Sequence, residues 1–293
     1  MTVTLITGAS TGIGEATALY LARMGHTVYA SMRTPDSSGD VLRAAAQEER
    51  LDLEVMRLDV DDSTSVASAV GDVMERSGRI DVLVNNAGIL KLTSVEEAPL
   101  EEAKAVFETN VFGALRMMQA VLPEMREQGS GTIVNMSSVA GRLVSPGHGI
   151  YAATKYALEA LSEAVAIETR RLGIRVIVIE PGFISTPILD KGGVVEVGDG
   201  PYAVHLKRMQ SLYRNARGGA DPPSAVAKVI ADALDDPTQR FRYIAGKDAP
   251  PVLNGRARMT DEEWIDMGRE MTDEEYFAES GRRFGADGGA GTE

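Results

Sequence analysis

The sequence predicts a doubly wound α/β fold: a parallel sheet of about seven strands, helices on both faces, and a helical C-terminal extension. Three observations carry this. Short β-branched runs alternate with longer segments of helical period, and each run is nearly continuously apolar, as strands covered on both faces are. A glycine-rich turn joins the first run to the first helix. Parallel neighbours need crossover helices, so the alternation sets the topology class.

Val3–Ile6 reads as the first strand, and Thr7-Gly8-Ala9-Ser10-Thr11-Gly12-Ile13-Gly14 as a turn feeding a helix to about Met24. Glycines permit tight turning and close backbone approach, and a helix N-terminus offers unpaired N–H groups to a phosphate. His26–Met32 is the second strand and completes a Rossmann-type β-α-β unit. That strand ends at Arg33, with no acid beside it. In dinucleotide folds an acid there holds ribose hydroxyls, whereas an arginine accommodates a 2′-phosphate. The residues favour NADP over NAD, a solvated surface arginine being the alternative.

Pro35 to Gly39 reads as a polar loop, Asp40 to Glu49 as a helix, and Leu53 to Leu58 as the third strand, ending in Asp59-Val60. Asp61-Asp62-Ser63 caps a helix running toward Arg76, its acids suited to a first turn. Asp59 reads equally well as a turn residue. Asp81–Val84 is the fourth strand and delivers Asn85-Asn86-Ala87-Gly88. Adjacent amides can lock neighbouring loops, and a glycine lets backbone pass near a ligand, although an ordinary turn has the same composition.

A helical stretch from Pro99 to Gln128 is interrupted around Asn110, a polar residue that needs a partner or a local backbone distortion. Thr132–Met136 is the fifth strand, ending in Ser137-Ser138. After the loop Val139 to Gly149, a helix carries Tyr151 and runs to about Leu172, where Gly173 stops it. Ile174–Ile179 is the sixth strand, broken by Pro181-Gly182, and Phe241–Ala245 the seventh. On the Tyr151 helix, residues four apart share a face, so a phenol and the Lys155 ammonium lie side by side. A free phenol ionises near pH ~10, and a fixed cation favours its phenolate. The pair is a tunable acid/base, though Tyr-x-x-x-Lys also arises as a plain polar helix face.

Composition removes other classes. The 293 residues include no cysteine, which excludes disulfides and thiolate chemistry, and His26, His148 and His205 show no ligand spacing, so no metal is expected. A net charge of −13 argues against nucleic acid as a partner. Neither a secretory signal nor a run of ~20 apolar residues is visible, so a cytoplasmic protein without a membrane span is expected.

Taken together, Thr7-Gly8-x-x-x-Gly12-x-Gly14, Asn85-Asn86-Ala87-Gly88, Ser138, Tyr151-x-x-x-Lys155 and Pro181-Gly182 with Thr186 resemble the short-chain dehydrogenase/reductase family. The resemblance is strong over residues 2 to 187. Within it, Val28 to Arg33, Ser77 to Asp81 and Asn110-Val111-Phe112-Gly113 look most like the branch of 17β-hydroxysteroid and retinol dehydrogenases. The resemblance implies catalytic roles for Asn110, Ser138, Tyr151 and Lys155: Tyr151 as general acid or base, Lys155 as its pKa modulator and ribose holder. Ser138 would hold the substrate oxygen, and Asn110 a water-linked proton route. It implies cofactor contacts at Gly8, Ser10, Thr11, Gly12, Ile13, Gly14, Arg33, Asp59, Val60, Asn86, Ala87 and Gly88. Further contacts are implied at Tyr151, Lys155, Pro181, Gly182, Ile184 and Thr186.

The implied reaction moves a hydride between NADP(H) and an apolar ketone, aldehyde or secondary alcohol, with homodimers or homotetramers as the implied assembly. The intact catalytic set separates this from a cofactor-binding regulator; an epimerase or dehydratase on the same platform is the other alternative. Residues 1–250 are expected to form the dinucleotide-binding catalytic domain, with 188–220 as a substrate loop or lid. There a helix from Tyr202 carries Leu206, Met209, Tyr213 and Ala216 as an apolar stripe, and Leu90, Leu143, Val144 and His148 flank the expected opening. Residues 251–293 form the extension. Met259-Thr260-Asp261-Glu262-Glu263-Trp264 recurs as Met271-Thr272-Asp273-Glu274-Glu275-Tyr276, and each copy reads as a capping box opening a short helix. Trp264 and Ile265, or Tyr276 and Phe277, are expected to pack, and Gly285 to Glu293 to be disordered.

Overall fold

The computed structural model describes residues 1–188 and 197–284; Gly192-Gly193 and the segment from Gly285 to Glu293 lie outside the described residues. Seven parallel strands, β1 (Val3–Ile6), β2 (Thr27–Met32), β3 (Leu53–Arg57), β4 (Val82–Asn85), β5 (Gly131–Met136), β6 (Ile174–Pro181) and β7 (Arg242–Ala245), pair in the order β3-β2-β1-β4-β5-β6-β7. The chain switches direction across the sheet between β1 and β4, which opens a crevice beyond their C-terminal ends.

Strand alternation divides the core in two. Leu5, Tyr29, Leu83, Ile133 and Val176 point to one face, under α4 (Ser63–Ser77), α6 (Ala114–Gln128) and α7 (Gly149–Thr169). Their neighbours Ile6, Val28, Val84, Val134 and Ile177 point to the other, under α1 (Gly12–Arg23), α3 (Asp40–Glu49) and α9 (Pro223–Asp235). A run apolar at every position therefore supplies both layers, at about 25 cal/mol per Å² of apolar surface buried. In the middle of the sheet one polar chain is buried: Asn85 Nδ2 donates to Asn135 Oδ1 (2.8 Å), and Asn135 Nδ2 to Ser162 Oγ (2.8 Å).

Several elements differ from the sequence expectation. Pro35–Ser38 is a one-turn helix, α2, because proline at the first helical position is pre-set for it. The expected interruption near Asn110 is a π-helical turn, Glu108–Gly113, between α5 (Leu100–Phe107) and α6. Its last residue, Gly113, lies so close to Val60 that an added Cβ would sit 2.7 Å from Cγ2. Two helices carry no reading above: α9, with Val226, Ala227, Ile230 and Ala231 buried, and α10 (Ala249–Ala257). Prolines open both, which reads as loop unless the first-turn tolerance is applied.

In the extension both capping boxes form. Thr260 Oγ1 accepts from the Glu263 N–H (3.1 Å) and Glu263 Oε2 from the Thr260 N–H (2.8 Å), opening α11 (Asp261–Ile265). Thr272 and Glu275 repeat this at 3.3 and 2.8 Å before α12 (Asp273–Phe284). Trp264 packs edge-on to Phe284 and donates through Nε1 to the Val144 carbonyl (3.1 Å), whereas Ile265 is 75% exposed, so only the tryptophan of that pair packs. Arg208, buried on α8 (Ala203–Arg217), donates to Asp273 Oδ1 (2.8 Å) and to the Met271 carbonyl, and lies 4.7 Å over the Tyr276 ring. Among the described residues no helix is long and apolar enough to cross a membrane, and no cluster could hold a metal.

Candidate active site

The crevice at the sheet's switch point is a cavity of about 630 Å³, the size of a small-molecule site. Every residue named above as catalytic or cofactor-binding lines it, except Gly14 and Asn110. Those two are buried and lie outside the lining.

The glycine turn is shaped by backbone need. Gly8 and Gly12 both have φ +66°, which L side chains rarely adopt. A Cβ on Gly8 would meet Ala87 Cα at 2.8 Å, and one on Gly14 would meet Asn86 Nδ2 at 2.4 Å and the Gly8 carbonyl at 2.5 Å. The Asn86 amide donates to the Thr7 (2.9 Å) and Gly8 (3.0 Å) carbonyls, and Thr7 Oγ1 accepts from the Asn86 and Ala87 N–H groups at 3.0 Å each. Asn86 thus locks the turn from the end of the neighbouring strand, while Asn85 is engaged with Asn135 inside the sheet. This bare cradle at the α1 N-terminus fits a pyrophosphate.

Arg33 is exposed at the end of β2 and lines the cavity beside Ser10, Thr11, Gly12 and Asp59. Among the described residues no carboxylate forms an ion pair with it. Asp59 Oδ1 accepts from the Asp61 N–H (3.2 Å), and Asp61 in turn accepts from Thr109 (2.9 Å) on the π turn. Burial raises the Asp61 carboxyl, with the Thr109 hydrogen bond and Arg33 opposing. Beyond β6, Phe183 N–H donates to Asp248 Oδ2 (2.8 Å), and Ile184 bridges Asp221, presenting Gly182, Ile184 and Thr186 to the cavity. Asp248 is a site residue the sequence did not disclose. Its Gly246-Lys247-Asp248 turn reads as local, yet it reaches back across the Pro181-Gly182 break.

Tyr151, Lys155 and Ser138 come together where β5 ends. Lys155 is buried, donates to the Met136 carbonyl (2.7 Å) and stands 5.5 Å from the centre of the Tyr151 ring. Burial pushes the Tyr151 phenol up to about 12, the Ser138 hydrogen bond opposing, and pushes the Lys155 ammonium down to about 8, Glu159 opposing. Helical spacing alone suggests a depressed phenol; desolvation outweighs proximity here. Asn110 Oδ1 accepts from the Ile89 N–H (2.8 Å) while Nδ2 donates to the Ile89 carbonyl (2.9 Å) and Thr154 Oγ1 (3.1 Å). The side chain is therefore spent on joining the Gly88-Ile89 segment to α7.

Leu90, Leu143, Phe183, Met209, Leu212 and Val252 give the remaining wall an apolar surface, with Lys91, Ser145, His148 and Tyr213 as polar side chains among them. Val144 does not line it, being exposed with its carbonyl taken by Trp264.

Comparison with known proteins shows the family and the fold. Estradiol 17-beta-dehydrogenase 1 of Rattus norvegicus is 37% identical over 265 residues, covering 87% of this chain and 76% of the relative. A short-chain dehydrogenase from Streptomyces avermitilis superposes with a TM-score of 0.79 at 38% identity, covering 92% of this chain and 98% of that one. A short-chain dehydrogenase/reductase from Burkholderia phymatum, solved with NAD, gives 0.77 at 26% identity, covering 93% and 96%. The family model described as short chain dehydrogenase matches residues 2–193, and the chain belongs to the short-chain dehydrogenase/reductase family of oxidoreductases.

Proposed function

We propose that this oxidoreductase uses NADP(H) to interconvert an apolar ketone or aldehyde with the corresponding alcohol, with Tyr151 as proton donor or acceptor. The observation that carries the reading is that one cavity holds the glycine cradle and Arg33 together with Ser138, Tyr151 and Lys155. Arg33 follows β2 and Lys155 abuts β5, three strand spacings away in the sheet order. At ~4.8 Å each this is about 14 Å, a separation a two-nucleotide ligand spans.

The bound nicotinamide supplies or accepts the hydride; the chain supplies position, proton and field. Gly8, Ser10, Thr11, Gly12 and Ile13 hold the pyrophosphate, and Arg33 the 2′-phosphate. Asp59 and Val60 face the adenine, and Asn86, Ala87 and Gly88 flank the ribose. Pro181, Gly182, Ile184 and Thr186 seat the carboxamide. Ser138 holds the substrate oxygen, and Tyr151 transfers the proton to it or from it. Lys155 holds the ribose hydroxyls. Asn110 takes part in a water-linked proton route to Lys155, while its amide holds the Gly88-Ile89 segment to α7. Purified protein with NADPH should oxidise it against some member of a panel of apolar ketones and aldehydes, followed by absorbance. Cofactor binding without turnover across the panel would favour a regulator.

The extension belongs to the same reading, as a strap on the substrate pocket. It holds α8 through Arg208 and the 139–149 loop through Val144, and both supply cavity wall. Deleting residues after Arg258 should raise substrate KM several-fold while NADPH affinity holds. A folded, truncated enzyme with unchanged KM would leave the extension a packing role only.

A further inference from the structure

Two polar side chains of the cavity wall have no part in the chemistry above: His148, just before α7, and Tyr213, on α8. Tyr213 lies against Phe183, ring centroids 5.0 Å apart, and against His148 at 5.3 Å. It also packs, with Tyr151, on Leu90 and Leu92. His148 is buried, and its Nδ1 stands 3.3 Å from the Pro146 carbonyl oxygen. A carbonyl only accepts, so Nδ1 carries the imidazole proton. Burial pushes the ring down to about 4, so it is neutral near pH 7 and Nε2 is an acceptor. That nitrogen meets the Tyr213 hydroxyl. The hydroxyl has one proton and gives it to the histidine, while its oxygen keeps its lone pairs. The pair therefore shows the cavity an oxygen that can accept a hydrogen bond and has no proton left to donate.

We infer that His148 and Tyr213 form a binding anchor that selects apolar substrates carrying, besides the reacting group, a hydrogen-bond donor such as a hydroxyl. The inference rests on the oxidoreductase reading and narrows its substrate class. Discrimination follows from the surroundings. In an apolar wall, a substrate hydroxyl pairs with the tyrosine oxygen, whereas an ether or second carbonyl sets acceptor against acceptor and leaves both desolvated. Pro146 sets the sign of the anchor by choosing the tautomer.

The test uses hydroxyphenyl alkanones of increasing chain length, each beside its methyl ether, with NADPH oxidation giving kcat/KM. At the length that fits, the hydroxyl form should be favoured by about tenfold or more. His148→Leu frees the Tyr213 proton for donation, so the ratio at that length should fall toward one. Tyr213→Phe uncovers Nε2, still an acceptor, and should keep the preference. NADPH binding, read by fluorescence, should be unchanged in both. A purely structural contact would change both ketones alike. Turnover with no preference at any length, an unchanged ratio in His148→Leu, or a lost preference in Tyr213→Phe would overturn the inference and leave the oxidoreductase reading intact. No turnover of this series or of the apolar panel would remove both.

Discussion

Replacing Tyr151 with phenylalanine is expected to lower kcat by about 10²–10⁴-fold, the usual contribution of a positioned proton donor. NADPH affinity is expected to stay within about twofold, because the lost hydroxyl acts on the reacting oxygen and not on the cofactor's phosphates. The ring itself can keep its place beside Leu90 and Leu92, so the fold should survive. Burial holds the phenol up to about 12, which leaves it protonated at neutral pH and ready to donate in reduction. In the oxidising direction it must give that proton up, and the buried Lys155 ammonium near its ring is the group placed to favour the phenolate. Single-turnover and steady-state rates with NADPH check this; undiminished activity in Tyr151→Phe would remove the acid/base assignment.

The second large effect is expected at Arg33. Arg33→Asp should lower the ratio of kcat/KM for NADPH over NADH by about 100-fold or more. A charge-assisted hydrogen bond to phosphate contributes ~1.5–3 kcal/mol, and each 1.4 kcal/mol is tenfold. The new carboxylate both repels a 2′-phosphate and can hold the ribose hydroxyls of NAD. Arg33 is exposed, with no ion-pair partner among the described residues, so its replacement leaves no buried charge behind. The Burkholderia phymatum neighbour was solved with NAD, so the family fold does not choose the cofactor. An unchanged ratio would refute the NADP preference.

Much of this molecule was legible before its structure. Strand runs such as Ile174–Ile179 carry both core layers in their own composition, and the helix interruption near Asn110 showed as a polar residue out of place in an apolar period. The glycine turn was legible for a similar reason: positive φ at Gly8 and Gly12 is a local backbone demand that few residues meet. Each capping box in the extension closes within four residues.

What the chain could not disclose depends on contacts between distant segments. The Asn86 amide that closes over the glycine turn, and that a Cβ at Gly14 would meet, comes from seventy-two positions away. Spacing placed a cation beside Tyr151, but the depth of burial determined the sign of the shift. Asp248 reads as a turn residue until β7 is set beside β6, where its carboxylate takes the Phe183 N–H. His148 and Tyr213, sixty-five residues apart, read separately as a residue at the opening and part of a helical stripe, and only the packing of α8 across the cavity makes them one hydrogen-bonded pair. By itself the sequence determined the sheet, the turn and the side-by-side placement of Tyr151 and Lys155, because periodicity, glycine conformation and helical spacing act over a few residues. The tertiary structure decided protonation and pocket polarity, because desolvation and long-range hydrogen bonds exist only once separate elements close over one another.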